Sequence, residues 1–161
     1  LEDASIRIRS LSSLHAELHD LAQGERVELR SLFERIERDL RQLLPDGIRL
    51  VIEVGDDRVS PSLANALLLI VNEFVSNSVK HGQWEQGGSI DITIATQERA
   101  WSIRCRDDGG ASAEDAARAA EARGLGTRVI SSLASSLDAQ IDWRAQDDGM
   151  VLEVAALSPA A

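Results

Sequence analysis

Apolar residues recur every three or four positions in the first part of the chain and every second position in much of the rest, so the change of period separates helices from strands. Leu11, Leu14, Leu18 and Leu21 share one face of a helix predicted over residues 3–22, which Gly24 ends. Over residues 25–44 the set Leu29, Leu32, Phe33, Ile36, Leu40, Leu43 and Leu44 keeps the helical period until Pro45-Asp46-Gly47 stops it. Ile48, Leu50, Ile52 and Val54 then alternate with polar neighbours as a half-buried strand does, up to Gly55-Asp56-Asp57. Ser60-Pro61 reads as an N-cap with proline at the first helical position, so a long helix is expected from there to about His81. Ile90, Ile92 and Ile94, a turn near Gln97-Glu98-Arg99, and Trp101, Ile103 and Cys105 predict a hairpin. The Ala-rich residues 112–122 are a third helix candidate, but with only small side chains to anchor them they are expected to form a mobile lid or loop. Residues 124–137 read as a helix opened by a glycine-rich turn, and residues 141–143 pair with 151–154 across Asp147-Asp148-Gly149.

This order predicts an α/β fold: a two-layer sandwich with helices on one face of a mixed, largely antiparallel sheet, preceded by a helical segment. The other sheet face needs water or a partner. A chain of 161 residues supports one real core and not two full domains. Its formal net charge of -10 argues against a nucleic-acid surface, which needs a concentrated Lys/Arg face. The single cysteine, Cys105, rules out an intrachain disulfide, and no apolar stretch is expected to reach membrane-spanning length, so a cytoplasmic setting is the simplest expectation. The chain starts at Leu1 inside the first predicted helix without an initiator Met, which suggests a fragment of something longer.

Three stretches carry candidate chemistry. In "NEFVSNSVKHG", residues 72–82, Glu73 and Asn77 lie one above the other on a helix, with Lys80 and His81 a turn further on. A solvent-facing side would account for such a polar stripe. In "RDDGG", Asp107 shares strand parity with Trp101, Ile103 and Cys105, so it points to their apolar side, where a carboxylate needs a partner; an acidic turn is the plainer reading. In "GLGT", Gly124, Gly126 and Thr127 stand at a helix start, where free amides and bare backbone suit phosphate oxygens. The chain has neither a G-x-x-x-x-G-K-[ST] loop nor a G-x-G-x-x-G fingerprint, so a P-loop or dinucleotide fold is not supported.

The order of these stretches resembles the ATP-binding domain of the GHKL superfamily, the Bergerat fold of gyrase and the sensor histidine kinases. "NEFVSNSVKHG" resembles its N box, "RDDGG" its first glycine box, "GLGT" its second, and "DDGMVLEVAAL" its last glycine-and-strand element. The subfamily most resembled is the HWE type of two-component sensor kinases and its near relatives, through "GLGTR" and Asp142-Trp143. The resemblance implies that Asn77 holds Mg²⁺, that Glu73 orients or deprotonates the nucleophile, that Lys80 reaches phosphate, and that Asp107 accepts from the adenine amino group of ATP. It also implies that Gly109 leaves room for the base, that Gly124 and Gly126 let amides approach the phosphates, and that Thr127 adds a hydroxyl; His81 and Arg123 join the ATP-binding set by position alone. Ala111 and Met150 depart from the family pattern, and Cys105 stands where the HWE type has a Trp.

Residues 1–23 resemble the C-terminal part of a dimerisation hairpin, and residues 24–161 the catalytic domain. A His-Arg-x-x-Asn-like acceptor string is missing, so the phosphoacceptor is expected upstream of Leu1 and His15 and His19 are read as interface or surface residues. The implied partners are a response regulator and a second copy docked through the N-terminal helix. Two other readings stay open: a GHKL serine kinase of the anti-sigma type, and a scaffold whose ATP domain has lost its nucleotide.

Overall fold

The computed structural model describes residues 25–97, 100–122 and 124–156; the helix predicted over residues 3–22, with His15 and His19, and the turn residues Glu98 and Arg99 lie outside the described residues. The helix expected from residue 25 starts later. Val27 and Glu28 form a short strand, β1 (Val27–Glu28), paired antiparallel with β3 (Arg58–Val59), and α1 (Leu29–Arg41) follows at once. The amide of Leu29 donates to the Asp57 carbonyl at 3.0 Å, which fixes this start. Leu29, Leu32, Phe33, Ile36 and Leu40 face the core as their spacing requires, and the Arg41 guanidinium ties the helix end to the Leu50 carbonyl.

Strand β2 (Ile48–Val54) leads through β3 into α2 (Pro61–His81), where the Ser60 hydroxyl accepts from the Leu63 amide at 3.3 Å and Pro61 occupies the first turn. Helix α2 corrects the expectation about apolar stretches: by length and composition it could cross a membrane. Of its most apolar window, 56% is buried inside the protein, with Leu67, Ile70, Val71 and Phe74 fully packed, so it is the central core helix.

Strands β4 (Gly88–Gln97) and β5 (Ala100–Asp107) form the expected hairpin, and β6 (Gln140–Gln146) and β7 (Gly149–Ala156) form the second. The second hairpin turns through Asp147 and Asp148, whose φ angles of 49° and 62° are those of a two-residue turn matched to strand twist. The sheet order is β2-β4-β5-β7-β6; β2 runs parallel to β4 and every other pair is antiparallel. Ile90, Ile92, Ile94, Trp101, Ile103 and Cys105 pack with α1, α2 and α4 (Leu125–Ser136) in one core. The opposite face is polar and laced with cross-strand ion pairs, Arg49 to Asp91 at 3.7 Å, Arg104 to Glu153 at 2.8 Å and Arg144 to Glu153 at 2.7 Å, so it faces water. Exposed pairs of this kind add little stability, about 0–1 kcal/mol each.

The segment expected to be a mobile lid or loop is a helix, α3 (Ala113–Ala120), lying against β6. Burial does not hold it, since only Ala116 is buried. A capping box does: the Ser112 hydroxyl accepts from the Asp115 amide at 3.2 Å, and the Asp115 carboxylate accepts from the Ser112 amide at 2.9 Å.

Candidate functional site

A cleft of about 690 Å³ opens between the C-terminal half of α2, the turn after β5, α3, the N-terminus of α4 and the inner ends of β6 and β7. Asp107 lines it, 5% exposed at the last position of β5. Strand parity turns it toward the core, and three donors meet it there. The Ser78 hydroxyl donates at 2.5 Å to one oxygen, and the amides of Gly109 and Met150 each donate at 3.1 Å to the other. A carboxylate offers about four acceptor positions, so three bonds from the protein leave about one for a donor in the cleft. The wall beside it is apolar: Phe74 and Trp143 stack with ring centroids 6.3 Å apart and line the cleft with Met150.

Asn77 also lines the cleft, and Lys80 and His81 line it with exposed side chains. Glu73 sits one turn before Asn77 on the same face, against Gly126. A methyl group built on Gly126 would lie 2.5 Å from Glu73 Oε2 and 3.1 and 3.2 Å from the two Asn77 amide atoms, so the start of α4 reaches this pair only because position 126 is bare. Gly124 caps α4, and its amide donates to the Thr127 hydroxyl at 3.1 Å while that hydroxyl donates back to the Gly124 carbonyl at 3.0 Å. The Thr127 side chain is therefore engaged in shaping the turn. The backbone amides of the first turn of α4, which have no helical acceptors, are the groups suited to an anion.

Gly109, which lines the cleft, is also required by packing: a side chain there would meet Gly82 Cα at 2.9 Å and the Trp84 ring at 3.0 Å. Arg123 lies outside the described residues. Reasoning from the sequence missed Ser78, Phe74 and Trp143 as parts of this cleft, and it missed Asp115 and Arg118, which face it from α3. Inward parity on β6 was a readable signal for Trp143; nothing in the sequence marked Ser78. The hydroxyl of Ser112, then the Ser112 amide and Arg118, hold the Asp115 carboxyl below its ordinary range. Leu125, 80% exposed, forms an apolar lip.

Among the described residues no cluster of three or more His, Cys, Asp or Glu side chains could hold a metal by itself. The single amide oxygen of Asn77 and the nearby Glu73 carboxylate fit an ion such as Mg²⁺, which keeps waters and takes few protein ligands beside substrate phosphates.

Residues 37–155 match the family described as "Histidine kinase-like ATPase domain". None of the curated proteins compared matches the chain. Among solved structures, the histidine kinase domain of the Erythrobacter litoralis EL346 blue-light activated histidine kinase is similar at TM-score 0.80 and 18% identity, over 96% of this chain and 79% of that one. A longer structure of the same kinase is similar at TM-score 0.77 and 19% identity, and this chain spans 54% of its length. The Acinetobacter baumannii histidine kinase AdeS is similar at TM-score 0.63 and 15% identity, over 92% of this chain and 74% of that one. At these identities the likeness speaks for the fold.

Proposed function

Because the chain belongs to the family of histidine kinase-like ATPase domains, we propose that its cleft binds Mg²⁺-ATP and passes the γ-phosphoryl group to a histidine on a dimerisation hairpin, for relay to a response regulator. The observation that carries this reading is that Asn77, Asp107 and the Gly124–Gly126 turn, distant in the chain, line one cleft. Asp107 accepts from the adenine amino group through its remaining acceptor position, and Phe74, Trp143 and Met150 cover the base. Lys80, His81 and the first-turn amides of α4 hold the phosphates. Asn77 supplies an oxygen to Mg²⁺, and the bound ion neutralises charge on the phosphate oxygens. Glu73 orients or deprotonates the attacking group.

Residues 1–23 are the end of the dimerisation hairpin and residues 24–161 the catalytic domain, in a homodimer acting in the cytoplasm. The acceptor is a histidine of that hairpin, outside residues 24–161.

Melting with and without Mg²⁺-ATP tests the reading, since ligand at 100 times its dissociation constant adds about 2.7 kcal/mol. No shift for the wild type would end the proposal, and an unchanged shift for Asn77→Ala would remove the metal assignment. An acid-labile, base-stable phosphoryl product from a chain carrying the whole hairpin separates histidine from serine transfer.

A further inference from the structure

The geometry points to Trp84 as a positioning residue for the base-reading carboxylate, an inference that rests on the role given above to Asp107. Trp84 is not among the residues lining the cleft. It sits behind it. The indole N–H donates at 2.9 Å to the Ser78 carbonyl, which also receives the Gly82 amide at 2.8 Å. The hydroxyl of the same Ser78 makes the 2.5 Å bond to Asp107.

Three glycines from three segments close on the indole. A methyl group on Gly109, in the turn after β5, would lie 3.0 and 3.2 Å from ring atoms, and one on Gly88, at the start of β4, 2.6 and 2.9 Å. Gly82, at the end of α2, is equally tight against it. Backbone bonds lock the wedge in place, with the Gln83 amide donating to the Gly109 carbonyl at 2.8 Å and the Gly87 amide to the Trp84 carbonyl at 2.9 Å.

Ser78 and Asp107 are 29 residues apart on separate elements, so their short bond needs the end of α2 and the end of β5 held in one register. A rigid aromatic ring in a slot of bare backbone sets that register. With the ring reduced, Asp107 keeps the amides of Gly109 and Met150, which lie on its own turn and on the adjoining strand, but loses a fixed Ser78. The acceptor position open to the cleft then loses its direction.

The test compares equilibrium binding of Mg²⁺-ATP with that of purine riboside triphosphate, which lacks the 6-amino group, in the wild type and in Trp84→Phe. The wild type should prefer ATP by about 10- to 100-fold, the range of a hydrogen bond to a charged group. Trp84→Phe should narrow this preference to below about threefold while binding the amino-free nucleotide within about threefold of the wild type, because only the directed bond is lost. Adding Trp84→Phe to Ser78→Ala should change the preference no further, since both act through one bond. Should the Phe variant not fold, Trp84→Tyr, which fills more of the slot, is read in the same way. A Trp84 variant that keeps the full preference overturns the inference and leaves the ring a packing role, whatever its melting temperature. A wild type that does not distinguish the two nucleotides overturns the reading of Asp107 itself, and the inference with it.

Discussion

Replacing Gly126 by Ala separates function from stability where the start of α4 meets Glu73 and Asn77. Position 126 is the second residue of α4, and no left-handed backbone angle marks it, so alanine meets no backbone strain there. Helix propensity alone favours Ala over Gly by about 1 kcal/mol. Against this stands the crowding of the new methyl group, 2.5 Å from Glu73 Oε2 and 3.1 and 3.2 Å from the Asn77 amide. Overpacking costs about 1–3 kcal/mol where neighbours are fixed. Here the nearest neighbour is the far end of a flexible, half-buried side chain, which can swing aside, so the low end applies and the net change in stability should lie within about 1 kcal/mol of zero. The displaced groups are those assigned to metal and nucleophile, and an Asn77 oxygen moved by a few tenths of an ångström no longer suits the near-ideal octahedron that Mg²⁺ demands. With Mg²⁺-ATP at 100 times the wild-type dissociation constant, the wild type gains about 2.7 kcal/mol, and a variant bound tenfold more weakly gains about 1.4 kcal/mol. Paired melting curves with and without nucleotide read both quantities. Full wild-type stabilisation by Mg²⁺-ATP in Gly126→Ala would refute the placement of metal and phosphates beside Asn77, and a loss of more than about 3 kcal/mol without ligand would show that position 126 matters for packing instead.

Asp107→Asn should weaken ATP more than tenfold yet cost only about 1–2 kcal/mol of stability, by calorimetry and melting. The two backbone donors are fixed and take the amide oxygen, Ser78 can rotate to accept, and the position left toward the cleft becomes a donor; undiminished ATP affinity would contradict the assignment. Because Asp115 is held below the ordinary carboxylate range, its capping contribution to α3 is present above the unfolded value and lost as pH falls through the lower folded one. A carboxyl-carbon NMR titration should place its midpoint below an ordinary aspartate's, with Ser112→Ala moving it back up; an ordinary midpoint in the wild type would rule this out. Burial pushes the Cys105 thiol up, so a thiol reagent should label it only as fast as the domain unfolds; labelling at the rate of an exposed thiol in native buffer would contradict the buried position.

The strands of the central hairpin were legible because one face of each is apolar and the other is not: Ile90, Ile92 and Ile94 against Asp91 and Thr93, Trp101, Ile103 and Cys105 against Ser102 and Arg104. Helix α2 was legible from its cap. Strands β1 and β3 were not, since two residues carry no period, and their pairing is what delays the start of α1. Helix α3 was legible only as a weak candidate. Its alanines give no apolar stripe, and the stabilising element is the Ser112-x-x-Asp115 cap, a four-residue pattern with no period of its own.

At the cleft the same division holds between what parity dictates and what register dictates. Parity required Asp107 to point inward and therefore to find donors, and it does point inward. Which donors it finds depends on where the end of α2 falls against the end of β5. That offset is set by contacts among Gly82, Trp84, Gly88 and Gly109, none of which has a periodic signature. Glycine is informative in a sequence only when the group that needs its missing side chain is known, and for Gly109 and Gly126 those groups, Trp84 and the Glu73–Asn77 pair, come from segments 25 and 49 or more residues away. Local rules could thus single out the candidate residues one at a time and the family resemblance could expect them at one cleft, while the distances between them are a property of the packed core.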